Sequence, residues 1–162
     1  MSEIVRQETS SEETTSQGSH ELDASPWLRV ESTLMSTARL IREAYDEALK
    51  PLDLNLTNAS LLAYVVEHGD MTQTALAERL GIGRAAAGSV IDRLEKKGLV
   101  ERLADPVDRR VWLVAATDDG KEVAAEIARI DESVRRRLRL GIDRHERQLL
   151  AKLLLRMQRN LK

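Results

Sequence analysis

The chain has 162 residues, 42% of them hydrophobic but only 2% aromatic and none Phe, so a core must be built from Leu, Val, Ile and Ala. Cysteine is absent, which excludes disulfides, thiolate nucleophiles and cysteine-based sensing. The formal charge of −2 is unevenly spread: residues 1–25 hold six acids against one Arg, and residues 121–162 hold twelve bases against six acids, a regional excess compatible with DNA binding.

No apolar run approaches the roughly 20 residues needed to cross a bilayer, and no signal-type apolar stretch follows Met1, so a cytoplasmic protein without a membrane partner is expected. Residues 1–25, rich in Ser, Thr, Glu and Gln, lack the apolar periodicity that offsets ordering entropy and read as a disordered acidic tail. From Pro26 to Lys50 the pattern becomes helical: Leu34, Ala38, Ile41, Tyr45 and Ala48 form one stripe, and Pro51 ends it. A second helix is expected from Thr57, read as its N-cap, through Leu61, Leu62 and Val65 to Gly69.

A third, short helix starts at Thr72 and runs to Leu80, followed by the turn Gly81-Ile82-Gly83. A fourth spans about Arg84 to Lys97, with Val90, Ile91 and Leu94 inward and Gly98 as its stop. Two β-branched segments follow, Leu99–Leu103 and Val111–Ala115, joined by a polar loop containing Pro106. Thr117 opens a long helix with Val123, Ile127, Ile130, Val134 and Leu138 on one face, broken at Gly141. Asp143 with Glu146 reads as a capping box for a last helix carrying Leu149, Leu150, Leu153, Leu154 and Met157.

Two short helices joined by a tight Gly turn and followed by a hairpin describe a winged helix-turn-helix. The turn angles the second helix so that it enters the major groove, about 12 Å wide, while the hairpin loop reaches a neighbouring groove. The expected fold is mostly α with a small β-hairpin wing: residues 57–116 form the winged helix-turn-helix, and residues 26–56 and 117–162 the flanking helices of a single domain spanning 26–162.

The pieces LAERLGI (76–82), VIDRLEKKGLVER (90–102) and DPVDRR (105–110), with a Thr near a Gly-containing turn at 117–120, resemble the MarR family of bacterial transcription regulators. The resemblance covers about residues 27–160. It implies a homodimer held by the first and the last two helices, with two winged modules on a palindromic operator in double-stranded DNA, and repression as the usual outcome. It also implies a small aromatic or anionic effector as a candidate partner; candidates to line its cleft are Trp27, Met35, Tyr45, Tyr64, His68 and Trp112, each of which also reads as core packing or surface.

On the fourth helix Arg84, Ala85, Gly88, Ser89 and Asp92 are expected to face outward. Arg84 at its N-terminus suits a base edge or a phosphate, or is a solvated surface residue. Ser89, Ala86 and Gly88 stand where the family more usually carries larger polar residues, so direct base readout by hydrogen bonds is expected to be poor and DNA shape to matter more. Arg93 suits a phosphate or a local carboxylate. Thr72 caps the third helix, contacts phosphate, or does both; Gln73 suits phosphate. In the loop, the resemblance implies that Asp108 orients an Arg in the minor groove, Arg109 being the inserting side chain and Arg110 its partner or a phosphate contact. The run Arg135-Arg136-Arg137 with Arg139 suits a solvated helix end, pairing across a dimer, or phosphate.

Catalysis and metal binding find no constellation. His20, His68 and His145 are far apart, and no phosphate-binding Gly loop or nucleophile elbow occurs. No catalytic residues, metal or cofactor are expected. The alternative class is a winged-helix module that binds protein rather than DNA, which the small residues of the fourth helix favour and the basic loop opposes.

Overall fold

A computed structural model of the chain describes Ser25 and residues 29–162. Trp27, and the tail expected over residues 1–25 apart from Ser25, lie outside the described residues. The chain divides into two units, residues 1–41 and 42–162. In the first, residues 30–41 are helical and belong to α1 (Val30–Leu49), with Met35 72% and Leu40 58% exposed.

The second unit begins with the end of α1, where Leu49 is buried, and a 3-10 turn, Lys50–Leu52, with Pro51 in its first positions. Then follow α2 (Leu56–His68), β1 (Met71–Thr72), α3 (Gln73–Leu80), α4 (Arg84–Lys96), β2 (Val100–Ala104), β3 (Trp112–Ala116), α5 (Asp118–Leu138) and α6 (Arg144–Asn160). Among the described residues the architecture is mostly helical with one small antiparallel sheet of order β1-β3-β2. The hairpin pairs Val100 with Ala116 through to Ala104 with Trp112, one residue later at each strand than the composition suggested. The two-residue strand β1, pairing Met71 with Val114 and Thr72 with Leu113, has no periodicity of its own and is too short to be read from sequence.

Helix α2 is the centre of the core. Asn58, Ala59, Leu61, Leu62 and Val65 are all buried, so the helix is covered on more than one face, as its high apolar content requires. Its cap is Asn55 rather than Thr57. The Asn55 backbone is extended and its side chain accepts a hydrogen bond from Asn58 N at 2.9 Å, whereas the Thr57 hydroxyl accepts one from the Arg42 guanidinium at 3.5 Å. Around α2 stand Leu76 of α3, Ile91 and Leu94 of α4, Val100 and Val114 of the sheet, and Ile127 of α5. On α4 the inner face is Ala87, Ile91 and Leu94, spaced four and three; Val90 is only half-buried.

Helix α5 is anchored by its own start. Thr117 caps Gly120 N at 3.0 Å and donates its hydroxyl hydrogen to Gly98 O at 2.6 Å. A Cβ on Gly120 would lie 2.0 Å from Leu99 O, so only glycine lets this turn approach the chain leaving α4. The expected stripe on α5 is buried at Ile127 and Val134 but emerges at Leu138, 44% exposed. Helix α6 has the anticipated capping box, Asp143 with Glu146, yet no residue of it is buried. Leu149, Leu150, Leu153 and Leu155 are exposed, and only Leu154 and Met157 of its expected apolar face are half-buried.

Candidate nucleic-acid interface

Helix α3 starts where the sheet ends. Thr72 pairs with Leu113 of β3 through its backbone, while its hydroxyl accepts from Ala75 N at 3.2 Å. One residue therefore caps the first helix of the motif and ties it to the hairpin. The turn to α4 is tight because Gly81 adopts φ 63°, ψ 33°, a left-handed conformation that costs glycine little. Gln73 crosses the turn: its Nε2 donates to Arg84 O at 3.0 Å, so one donor of the expected phosphate contact is already engaged within the motif. The Gln73 amide lies over Gly88, where a Cβ would meet Nε2 at 3.0 Å. Gly88 is thus filled by a neighbouring side chain and does not face outward as an empty notch.

The exposed face of α4 carries Arg84, Ala85, Ala86, Ser89, Asp92 and Arg93. The Ser89 hydroxyl donates to Ala85 O at 3.2 Å, which directs its hydrogen back along its own helix. Arg84 presents its guanidinium at the N-terminal end of the helix, where no carboxylate among the described residues pairs with it. Asp92 does not face outward unpartnered: together with Glu95 it forms ion pairs with Arg102 of β2. Those carboxylates hold the Arg102 guanidinium above its ordinary pKa, the Asp92 hydrogen bond being the main cause. Arg102 had not been singled out in the sequence. The signal was its spacing of two from buried Val100, which turns a charged side chain toward the helix side of the hairpin.

The loop between β2 and β3 is ordered by two aspartates. Asp105 Oδ1 accepts from Val107 N at 2.7 Å and Asp108 N at 3.1 Å. Asp108 Oδ1 accepts from Arg110 N at 3.0 Å, and Val111 N donates to Asp108 O at 2.8 Å. Asp108 therefore orients the loop backbone, and no bond from it to the Arg109 guanidinium is formed among the described residues. Asp105, missed in the sequence reading, has a legible signal in its place before Pro106, where an aspartate favours a side-chain-closed turn. Arg109 and Arg110 are exposed at the tip beside Val107, 94% exposed, and their guanidinium groups meet no acceptor among the described residues.

Arg93 makes no direct ion pair among the described residues. The nearby carboxylate, Asp53, is held 2.5 Å from Lys97 instead, and Lys97 keeps its pKa below the usual aspartate value, with Arg93 adding to the effect from farther away. Of the basic run on α5, Arg135 pairs with Asp131 at 2.9 Å and Arg136 with Glu132 at 3.0 Å, so these two serve their own helix.

The effector candidates are dispersed. Tyr64 and His68 stack with centroids 4.1 Å apart and an interplanar angle of 8°. Tyr45 is half-buried against the core and donates its hydroxyl to Asp131 at 2.7 Å; burial first, then Asp131, raises its pKa from the ordinary tyrosine value. Trp112 is 58% exposed on β3. Among the described residues no group of His, Asp or Glu could hold a metal ion, and no helix is long and apolar enough to cross a membrane.

The model of the MarR family matches residues 54–112, which span α2, α3, α4 and the hairpin up to the first residue of β3. A solved transcriptional regulator, PA3341, is 33% identical over 81% of this chain and 96% of its own, with a TM-score of 0.73. CouR from Rhodococcus jostii RHA1, solved bound to p-coumaroyl-CoA, is 26% identical over 77% of this chain and 88% of its own, with a TM-score of 0.71. The MepR–DNA complex of S. aureus shares the fold, with a TM-score of 0.77 over 85% of this chain and all of the MepR chain, at 18% identity. The helix-turn-helix, the paired hairpin and these similarities agree, and the chain belongs to the MarR family of transcription regulators.

Proposed function

We propose that this protein is a repressor that binds a palindromic operator as a homodimer and is released from it by a small aromatic or anionic effector. The observation that carries the DNA reading is the loop tip. Asp105 and Asp108 each turn one carboxylate oxygen to backbone N–H groups, and Arg109 and Arg110 are exposed and without a partner among the described residues. A guanidinium held outward on an ordered loop suits the electronegative minor groove. Arg84 then meets the major groove from the start of α4. Thr72 and Gln73 approach the backbone of the same site, and Arg93 reaches phosphate. Ser89, with its hydrogen turned inward, contributes little readout. The MepR–DNA complex supports this reading at the level of the fold.

The homodimer is supported by α6, where Leu149, Leu150, Leu153 and Leu155 are left exposed. Exposed Met35 and Leu40 on α1 offer further apolar surface, so residues 26–56 and 117–162 serve assembly while residues 57–116 serve DNA. Two-fold symmetry then places half-sites about one helical turn, roughly 10 bp, apart. The effector reading rests on CouR, which was solved with an aromatic thioester. Of the candidates, Tyr64, His68 and Trp112 have ring surface to offer, whereas Tyr45 is committed to Asp131.

The test is fluorescence anisotropy of the purified chain with DNA from its own upstream region and with a scrambled fragment, across a salt series. Tight, salt-sensitive preference for the native fragment is expected. Weak binding to both fragments at every salt concentration would favour the protein-interaction alternative, and equal salt-steep binding would reduce the protein to a phosphate binder.

A further inference from the structure

On the second unit, the turn after α1 and the C-terminal end of α4 enclose an open cleft of about 600 Å³. Its lining brings together Lys50, Arg93, Lys96 and Lys97, with Asp53 as the single carboxylate. Four cations around one acid repel each other, and nothing in the core requires them there. Two are partly answered, Lys97 by Asp53 at 2.5 Å and Lys50 by Glu47. Arg93 and Lys96 form no ion pair among the described residues.

A second, independent observation lies in the same cleft. Asn58 is 1% exposed, lines the cleft from α2, and its Nδ2 has no hydrogen-bond partner among the described residues. A buried amide donor left unpaired is destabilising, so such a group favours a ligand that accepts from it. Asn55, the N-cap of the thirteen-residue α2, also lines the cleft, placing the positive end of that helix dipole there.

We infer that this cleft is an oxyanion site that takes a phosphate group, with Arg93, Lys96 and Lys97 supplying charge and Asn58 a hydrogen bond from below. The phosphate belongs either to a free small molecule or to the DNA backbone, and the chemistry of the site is the same for both. The cleft is separate from the hairpin tip, so the inference does not depend on the minor-groove reading.

The test begins without DNA. The full chain is titrated calorimetrically with inorganic phosphate against chloride at constant ionic strength. Saturable binding at one site per chain is expected, weakened about tenfold by Lys96→Ala, the loss of one charge-assisted contact. Asn58→Leu, which removes the unpaired amide at similar volume, should abolish phosphate binding while leaving the thermal midpoint in chloride unchanged or higher. A lower midpoint for Asn58→Leu would mean that the amide serves the fold, and would overturn its role as a donor. The second arm measures the salt dependence of DNA binding. If free phosphate does not bind but Lys96→Ala lowers the slope by about 1, the occupant is a backbone phosphate. If phosphate binding survives Lys96→Ala and the DNA slope is also unchanged, the inference is wrong. Phosphate binding in a protein that ignores DNA would uphold the site while sinking the regulator reading.

Discussion

Between Leu56 and Ala116 each helix has a fully closed inner face: Leu61 and Leu62 of α2, Leu76 of α3, and Ile91 and Leu94 of α4 are 0% exposed. Helix α6 has a full capping box and a comparable supply of leucines, yet Leu149, Leu150, Leu153 and Leu155 are 50%, 52%, 43% and 57% exposed. The two regions obey the same local rules of helix formation and differ only in what covers them. A reading head must hold its shape alone, because hydrogen bonds to DNA depend on rigid placement of a few side chains. A helix that completes a dimer instead leaves its cover to the partner. Stability in the first region is internal; in the second, the proposed homodimer would make it depend on concentration.

The strongest way to break that contrast is to attack the head from within. Gly120→Ala would force a Cβ against Leu99 O, and urea unfolding should show a loss of at least about 2 kcal/mol, in the range for overpacked sites. A stability equal to the parent would mean that α5 re-seats freely and that the head is less rigid than its packing suggests. The converse experiment is Leu150→Glu with Leu153→Glu on α6. Sedimentation should report a monomer whose far-ultraviolet dichroism is retained, and operator affinity should collapse because two half-sites are no longer linked. Loss of helicity throughout the chain would show that the two regions fold as one.

Within the head, Arg109→Ala should weaken operator binding tenfold or more with the dimer intact, as read by anisotropy. Unchanged affinity would remove the hairpin tip from the mechanism. Arg102→Ala cuts the bridge from β2 to Asp92 and Glu95 and should cost about 1 kcal/mol of stability. Because the bridge sets the hairpin relative to α4, Arg102→Ala should also weaken DNA binding, with Arg102→Lys restoring part of it. The smallest effect is expected from Ser89→Ala, under about 1 kcal/mol in binding, since that hydroxyl already bonds Ala85 O. A loss comparable with the Arg109 variant would show that α4 reads bases through more than its shape.

Much of the local structure is legible in the sequence. The Gly turn at 81–83, the cap at Thr72 and the capping box at Asp143 are local chemistry, set within four residues of the group they satisfy. The N-cap of α2 was misplaced because Asn55 and Thr57 are both good caps, and only the backbone conformation selects between them. The resemblance has Asp108 orient an arginine of the loop; its Oδ1 accepts from Arg110 N, a preference that depends on how the loop closes.

What the sequence determined by itself is the succession of helices, the hairpin, and the identity of the exposed arginines, because caps, turns and apolar spacing act over a few residues. Only the tertiary structure decided the pairings between distant positions. β1 joins the hairpin through a register with β3, Arg102 reaches back to α4, Gln73 fills the space over Gly88, and Lys50, Asn58 and Arg93 come to share one cleft. These contacts join positions that no local pattern relates, and they exist because packing around α2 brings their elements together.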